Sequence, residues 1–172
     1  MTVLENVVYL VCERSATILV YSADTLSPLG EGIHVEAMRN PTDVVACRRQ
    51  RQLYVADWQL SSMTTGSGHQ LTLWRVSADD QSSVKWLNCE STTVRPYPCT
   101  LSLNACRLLV TSSRSRRLRQ YRTTDRQLLC AVVVNYVELL YHGVETTRGT
   151  FIVAHRGTLD DDLLYAVSEL SK

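Results

Sequence analysis

One pattern recurs along this chain and limits what it can fold into. An apolar strand is followed by a polar connection, then by a second strand that ends in a turn carrying an aspartate. Leu53-Tyr54-Val55-Ala56-Asp57 precedes Leu71-Thr72-Leu73-Trp74-Arg75-Val76-Ser77-Ala78-Asp79. Near the start, Val8-Tyr9-Leu10-Val11 precedes Ile18-Leu19-Val20-Tyr21-Ser22-Ala23-Asp24. Leu108-Leu109-Val110-Thr111 precedes Leu118-Arg119-Gln120-Tyr121-Arg122, with Asp125 in the turn. A weaker copy is Phe151-Ile152-Val153-Ala154 with Leu163-Leu164-Tyr165-Ala166-Val167. A repeated unit of this kind cannot bury its apolar face alone and must stack on its neighbours.

The period is measurable. With Leu10, Val55, Val110 and Val153 equivalent, the spacings are 45, 55 and 43 residues. Four-stranded blades of β-propellers run to roughly 40–50 residues. The long interval holds the polar stretch 61–68, and lengthening a loop costs little closure entropy. Pro41 and Pro96 precede Val55 and Val110 by the same 14 residues, an independent check on the register. Proline at the first position of a strand loses no ladder donor.

Alternation of period two dominates, and no long stretch keeps the i, i+3, i+4, i+7 pattern of an amphipathic helix. The fold class is therefore all-β: a partial β-propeller of about three and a half four-stranded blades. The blades are expected at about 7–38, 40–90, 95–135 and 137–172, within a single domain. The first is expected to begin at its second strand, and the last to stop after its third. Propellers typically close with 4–8 blades. The chain is thus expected to be a fragment of a longer protein, and to self-associate through open strand edges when alone.

Within the second blade the strands are read at 41–47, 53–56, 71–76 and 84–87. In the third they are read at 99–103, 108–111, 118–122 and 128–134. The fourth is read from a first strand at 143–147. Leu53, Val55, Leu101, Leu103, Val110 and Val153 are expected in the core.

Net charge is +1, so no global field draws the chain to nucleic acid or to anionic lipid. Apolar runs such as 130–134 are strand length, far below the roughly 20 residues of a membrane helix. Met1 leads into the strand at 7–11 without a signal-like segment, and a cytoplasmic location is expected. The six cysteines, at 12, 47, 89, 99, 106 and 130, form no Cys-x-x-Cys pair and match no zinc spacing. They read as reduced, buried, small hydrophobes.

The segment Asn40-Pro41-Thr42-Asp43-Val44-Val45-Ala46, followed by Leu53-Tyr54-Val55-Ala56-Asp57, resembles the NHL repeat. In the third blade Ser112 stands where the second has Asp57, and in the fourth His155 does. The resemblance implies a six-bladed propeller that binds protein or RNA. It does not imply catalysis, because fold and function separate.

Asp57 is expected to bond backbone amides of the following turn. His155 and Asp160-Asp161-Asp162 are expected on a solvated loop, since consecutive carboxylates point to alternate sides and cannot all face one ion. No metal and no cofactor is assigned. The candidate binding residues are basic: Arg48, Arg49 and Arg51 in one turn, and Arg114, Arg116, Arg117 and Arg119 around Tyr121. An aromatic among arginines suits base stacking. The reading is a non-catalytic module whose loops bind a protein, with RNA as the second partner class through the arginines. The rival reading is a metal-dependent, sugar-lactonase-like hydrolase on a six-bladed propeller. It would need Glu, Asn and Asp side chains to converge, and neither Glu145 nor Asn104 stands at an evidently equivalent inner position.

Overall fold

The computed structural model describes residues 1–61, 68–92, 99–113, 115–135, 137–156 and 162–167. The chain divides into two compact units, Met1–Pro96 and Tyr97–Lys172. All regular structure among the described residues is β-strand.

The first unit holds β1 (Thr2–Leu4), β2 (Val7–Leu10), β3 (Thr17–Ser22), β4 (Ile33–His34), β5 (Pro41–Cys47), β6 (Gln52–Ser61), β7 (Gly68–Ser77) and β8 (Ser83–Thr92). They form two antiparallel sheets in simple chain order, β1-β2-β3-β4 and β5-β6-β7-β8. The apolar run of β6 is explained by burial on both faces, since every residue from Leu53 to Trp58 is buried. Leu53 and Val55 pack with Leu4, Tyr9 and Ile18 of the first sheet. Tyr54 points the other way, and its ring meets Trp86 edge-on at 5.1 Å, a favoured aromatic geometry.

The second unit holds β9 (Cys99–Asn104), β10 (Arg107–Ser112), β11 (Arg117–Arg122), β12 (Leu128–Val133), β13 (Leu139–Glu145), β14 (Phe151–Arg156) and β15 (Asp162–Val167). Its sheets are β12-β11-β10-β9 and β13-β14-β15. Leu109 and Leu118 pack against Leu140, Phe151 and Val153 between them. Gly143 lies at this contact because a Cβ there would come within 2.9 Å of Thr111 Oγ1 and 3.0 Å of Leu118 Cδ2.

The repeat is visible in the hydrogen bonds of the third-to-fourth-strand turns. Ser22 N–H donates to Ser27 O at 2.9 Å, Ser77 N–H to Ser82 O at 2.8 Å, and Arg122 N–H to Gln127 O at 2.9 Å. The fifth residue of each turn is left-handed: Leu26, Gln81 and Arg126 have φ of 54°, 60° and 65°. Three different residue types thus adopt one backbone form, which the surrounding strands impose.

Several expectations change. The first sheet has its innermost strand: β1 takes the place expected to be missing. It is three residues long, too short to show alternation. The strands read at 53–56 and 71–76 extend to the ends of the polar stretch 61–68, because Gln59, Leu60 and Ser61 pair with Gln70, His69 and Gly68. Residues 62–67 and Pro96 lie outside the described residues. The strand read at 143–147 begins at Leu139 and ends at Glu145. A bulge between Leu140 and His142 breaks its alternation, and Thr146 N–H turns back onto Thr150 O at 2.8 Å. Of the expected core residues, Leu53, Val55, Leu101, Val110 and Val153 are buried, whereas Leu103 is half-buried. The cysteines are all thiols, with Cys47 and Cys99 buried and Cys12 exposed.

Candidate functional site

Asp57 lies mid-strand in β6 and is fully buried. Its Oδ1 accepts the backbone N–H of Asn40 at 2.6 Å and of Arg39 at 3.1 Å. Its Oδ2 accepts Gln59 Nε2–H at 2.8 Å and Trp74 Nε1–H at 3.0 Å. A buried carboxylate is tolerable only when its lone pairs are occupied in this way. The backbone it holds is the lead-in to β5, not a following turn, because β6 runs on past Asp57. This side chain is a structural staple and leaves little room for a ligand.

The turn between β5 and β6 carries Arg48, Arg49 and Arg51. Arg51 bonds Glu5 from the β1–β2 turn and Asp79 from the β7–β8 turn, the latter through Nε at 2.6 Å. Hydrogen bonding and charge from Asp79, then charge from Glu5, raise its already high pKa. Arg51 is therefore committed to joining three turns at one end of the unit. Arg48 and Arg49 are exposed beside it.

In the second unit Arg116 and Arg117 are exposed, and Arg119 is half-buried. Arg116 Nη1–H reaches Val137 O at 3.4 Å. Arg114 lies outside the described residues. Tyr121 is only 6% exposed, so its ring offers no face for a stacked base. The expected interleaving fails because Tyr121 pairs with Leu108 and both are buried, while Arg116 and Arg117 are exposed.

One grouping was not legible from spacing. Glu145, with a side chain 4% exposed, pairs with Arg107 Nη2 at 3.1 Å. It also accepts Gln120 Nε2–H at 2.8 Å and Asn104 Nδ2–H at 3.3 Å. Glu145 and Asn104 do meet, but around an arginine that neutralises the carboxylate. His155 is buried in β14, not on a solvated loop. Asp160 and Asp161 lie outside the described residues. Among the described residues, no three His, Cys, Asp or Glu side chains converge on a common point.

No family model matches the chain, and no curated protein matches its sequence. A chain from a crystal structure of a nidogen/laminin complex superposes with a TM-score of 0.64 at 10% identity, over 95% of this chain and 60% of that one. Hsv2 of Kluyvelomyces marxianus matches with a TM-score of 0.48 at 11% identity, over 75% of this chain and 46% of that one. At 10% identity the first likeness is one of fold. The chain spans 60% of the length of that solved chain. With the sheet topology it defines the class: an all-β, partial β-propeller.

Proposed function

We propose that this chain is a non-catalytic interaction module, NHL-like in type, that uses propeller turns to bind a protein. The observation that carries the reading is the division of its charges. Asp57 and Glu145 are spent on internal partners. Arg48 and Arg49 stand exposed on a turn pinned from both sides by Arg51. Rigid sheets with recognition on their connections are the usual division of labour in such folds. The fold neighbour from a nidogen/laminin complex supports protein binding as a use of this architecture.

The test is capture from a cell extract on the immobilised chain, beside the Arg48→Glu/Arg49→Glu variant. Chemical cross-linking should give a discrete protein partner that the variant loses and that ribonuclease treatment leaves in place. Loss on ribonuclease treatment would transfer the arginines to RNA. Equal capture by both forms would remove this turn from the site.

A further inference from the structure

Each unit contains a junction between two sheets, and the two junctions are built alike. In the first unit, Leu4, Tyr9 and Ile18 of the first sheet pack on Leu53, Val55, Trp74 and Val76 of the second. In the second unit, Leu109 and Leu118 pack on Phe151 and Val153. Successive strand residues alternate between the two faces of a sheet. A sheet therefore has a trailing face, which covers the sheet after it, and a leading face, which receives the sheet before it. Tyr9 and Leu109 lie on trailing faces, and Leu53, Val55, Phe151 and Val153 on leading ones.

Two sheet faces stay open. On the leading face of β1-β2-β3-β4, Val3, Val8 and Tyr21 form one cross-strand row, and Leu10 pairs with Leu19 in the next. Val8, Tyr21, Leu10 and Leu19 are the repeat counterparts of Leu53, Val76, Val55 and Trp74, which pair in the same way. Those four are buried, whereas Val8, Leu10, Leu19 and Tyr21 are half-buried and Val3 is 43% exposed. On the trailing face of β13-β14-β15, Val144, Ile152 and Ala166 form a row. Ile152 is the counterpart of Tyr9 and Leu109, both buried, yet it is 37% exposed, and Val144 beside it is 39% exposed. Ala166 is exposed as well. None of these rows holds a charged residue.

We propose that these two faces dock on each other between two copies of this chain, the trailing face of β13-β14-β15 in one copy against the leading face of β1-β2-β3-β4 in the other. The chain carries both halves of a junction that it already makes once in each unit, so a second copy supplies the matching half. A net charge of +1 leaves little repulsion between copies. The described residues form four sheets, and two copies bring a total at the upper end of the 4–8 blades with which propellers close. A head-to-tail contact that closes gives a defined dimer, whereas one that does not close gives filaments. Edge pairing is the poorer route at the first sheet, because its outer strands β1 and β4 are three and two residues long, and very short edges offer few free backbone groups.

Sedimentation equilibrium of the 172-residue chain tests this, beside Val3→Lys on the leading face and Ile152→Glu on the trailing face. Both positions are exposed, and the urea midpoint of each variant checks that its fold is intact. Val144→Glu, in the same row as Ile152, gives the same test should Ile152→Glu fail to fold. The wild-type chain should sediment as a dimer that dissociates on dilution. Each variant alone should dimerise at least about tenfold more weakly, because docking would bury an unpaired charge in both junctions. An equimolar mixture of the two variants should recover a one-to-one dimer. In that dimer one junction is unaltered and the other carries opposite charges. A monomeric wild-type chain, polymers in place of a dimer, or a mixture no tighter than its components would overturn the proposal. Association unchanged in both variants would also overturn it and would return self-association to the strand edges.

Discussion

Trp74 donates its indole N–H to Asp57 Oδ2 at 3.0 Å inside the first unit. The same carboxylate receives two consecutive backbone amides, Arg39 and Asn40. One side chain thus ties β7 and the lead-in of β5 to the middle of β6. Asp57→Asn keeps the size but replaces an acceptor oxygen by a donor, so an amide or the indole loses its partner. Leaving a buried donor unsatisfied costs about 1–3 kcal/mol, and more when the lost partner was charged. Urea unfolding should show a loss of about 2–4 kcal/mol on this basis. A loss below about 0.5 kcal/mol, the range of neutral surface changes, would mean that the staple contributes nothing.

Burial separates two leucines that the strand pattern treats alike. Leu53 is fully buried, whereas Leu103 is half-buried. Leu53→Ala should cost about 2–5 kcal/mol, the range for filled core sites. Leu103→Ala should cost clearly less, because part of its surface is already hydrated. The same urea titration, run on both variants, checks the order.

The contact at Gly143 predicts a coupling between strands of different sheets. Gly143→Ala places a methyl against Thr111 Oγ1, Leu118 Cδ2 and Leu109 Cδ2. Overpacking of this sort costs about 1–3 kcal/mol. Thr111→Ala removes the nearest atom, so the double variant should lose less than the sum of the single ones. Strict additivity in the double-mutant cycle would show that the two strands do not press on each other there.

Much of the fold was legible because its repeat is written twice: in alternating strands, and in the turns Ser22-Ala23-Asp24 and Ser77-Ala78-Asp79. Each element that escaped has a physical cause. β1 is too short for a period. β13 hides its alternation behind a bulge at Tyr141. Residues 59–61 and 68–70 hold one apolar side chain, Leu60, too little to show alternation, and backbone pairing makes them strand. The site was less legible because its contacts are remote in sequence. Arg51 meets Glu5 across 46 residues and Asp79 across 28. Asn104 meets Glu145 across 41. Composition showed arginines at 48–51 but not that one of them is spent on holding turns together.

Asp80 gives a pH dependence with a definite sign. Bonds from the Ser82 hydroxyl, the Ser82 amide and Ser77 lower its pKa from 3.8 to about 2. A carboxylate whose folded pKa is depressed adds stability above its unfolded value and loses it as pH falls through the folded one. The difference in thermal midpoint between the wild-type chain and Asp80→Ala should be constant above about pH 5 and should shrink between about pH 4 and 2. A difference that grows in acid would contradict the turn geometry.

Hydrogen exchange on the chain with and without its captured partner tests the central claim most directly. The account predicts new protection at the turn amides of 48–51 and around 78–81, which share one end of the first unit, with the amides of 39–40 unchanged because Asp57 already holds them. Protection confined to 115–117, or no change at either turn while the partner remains bound, would contradict it.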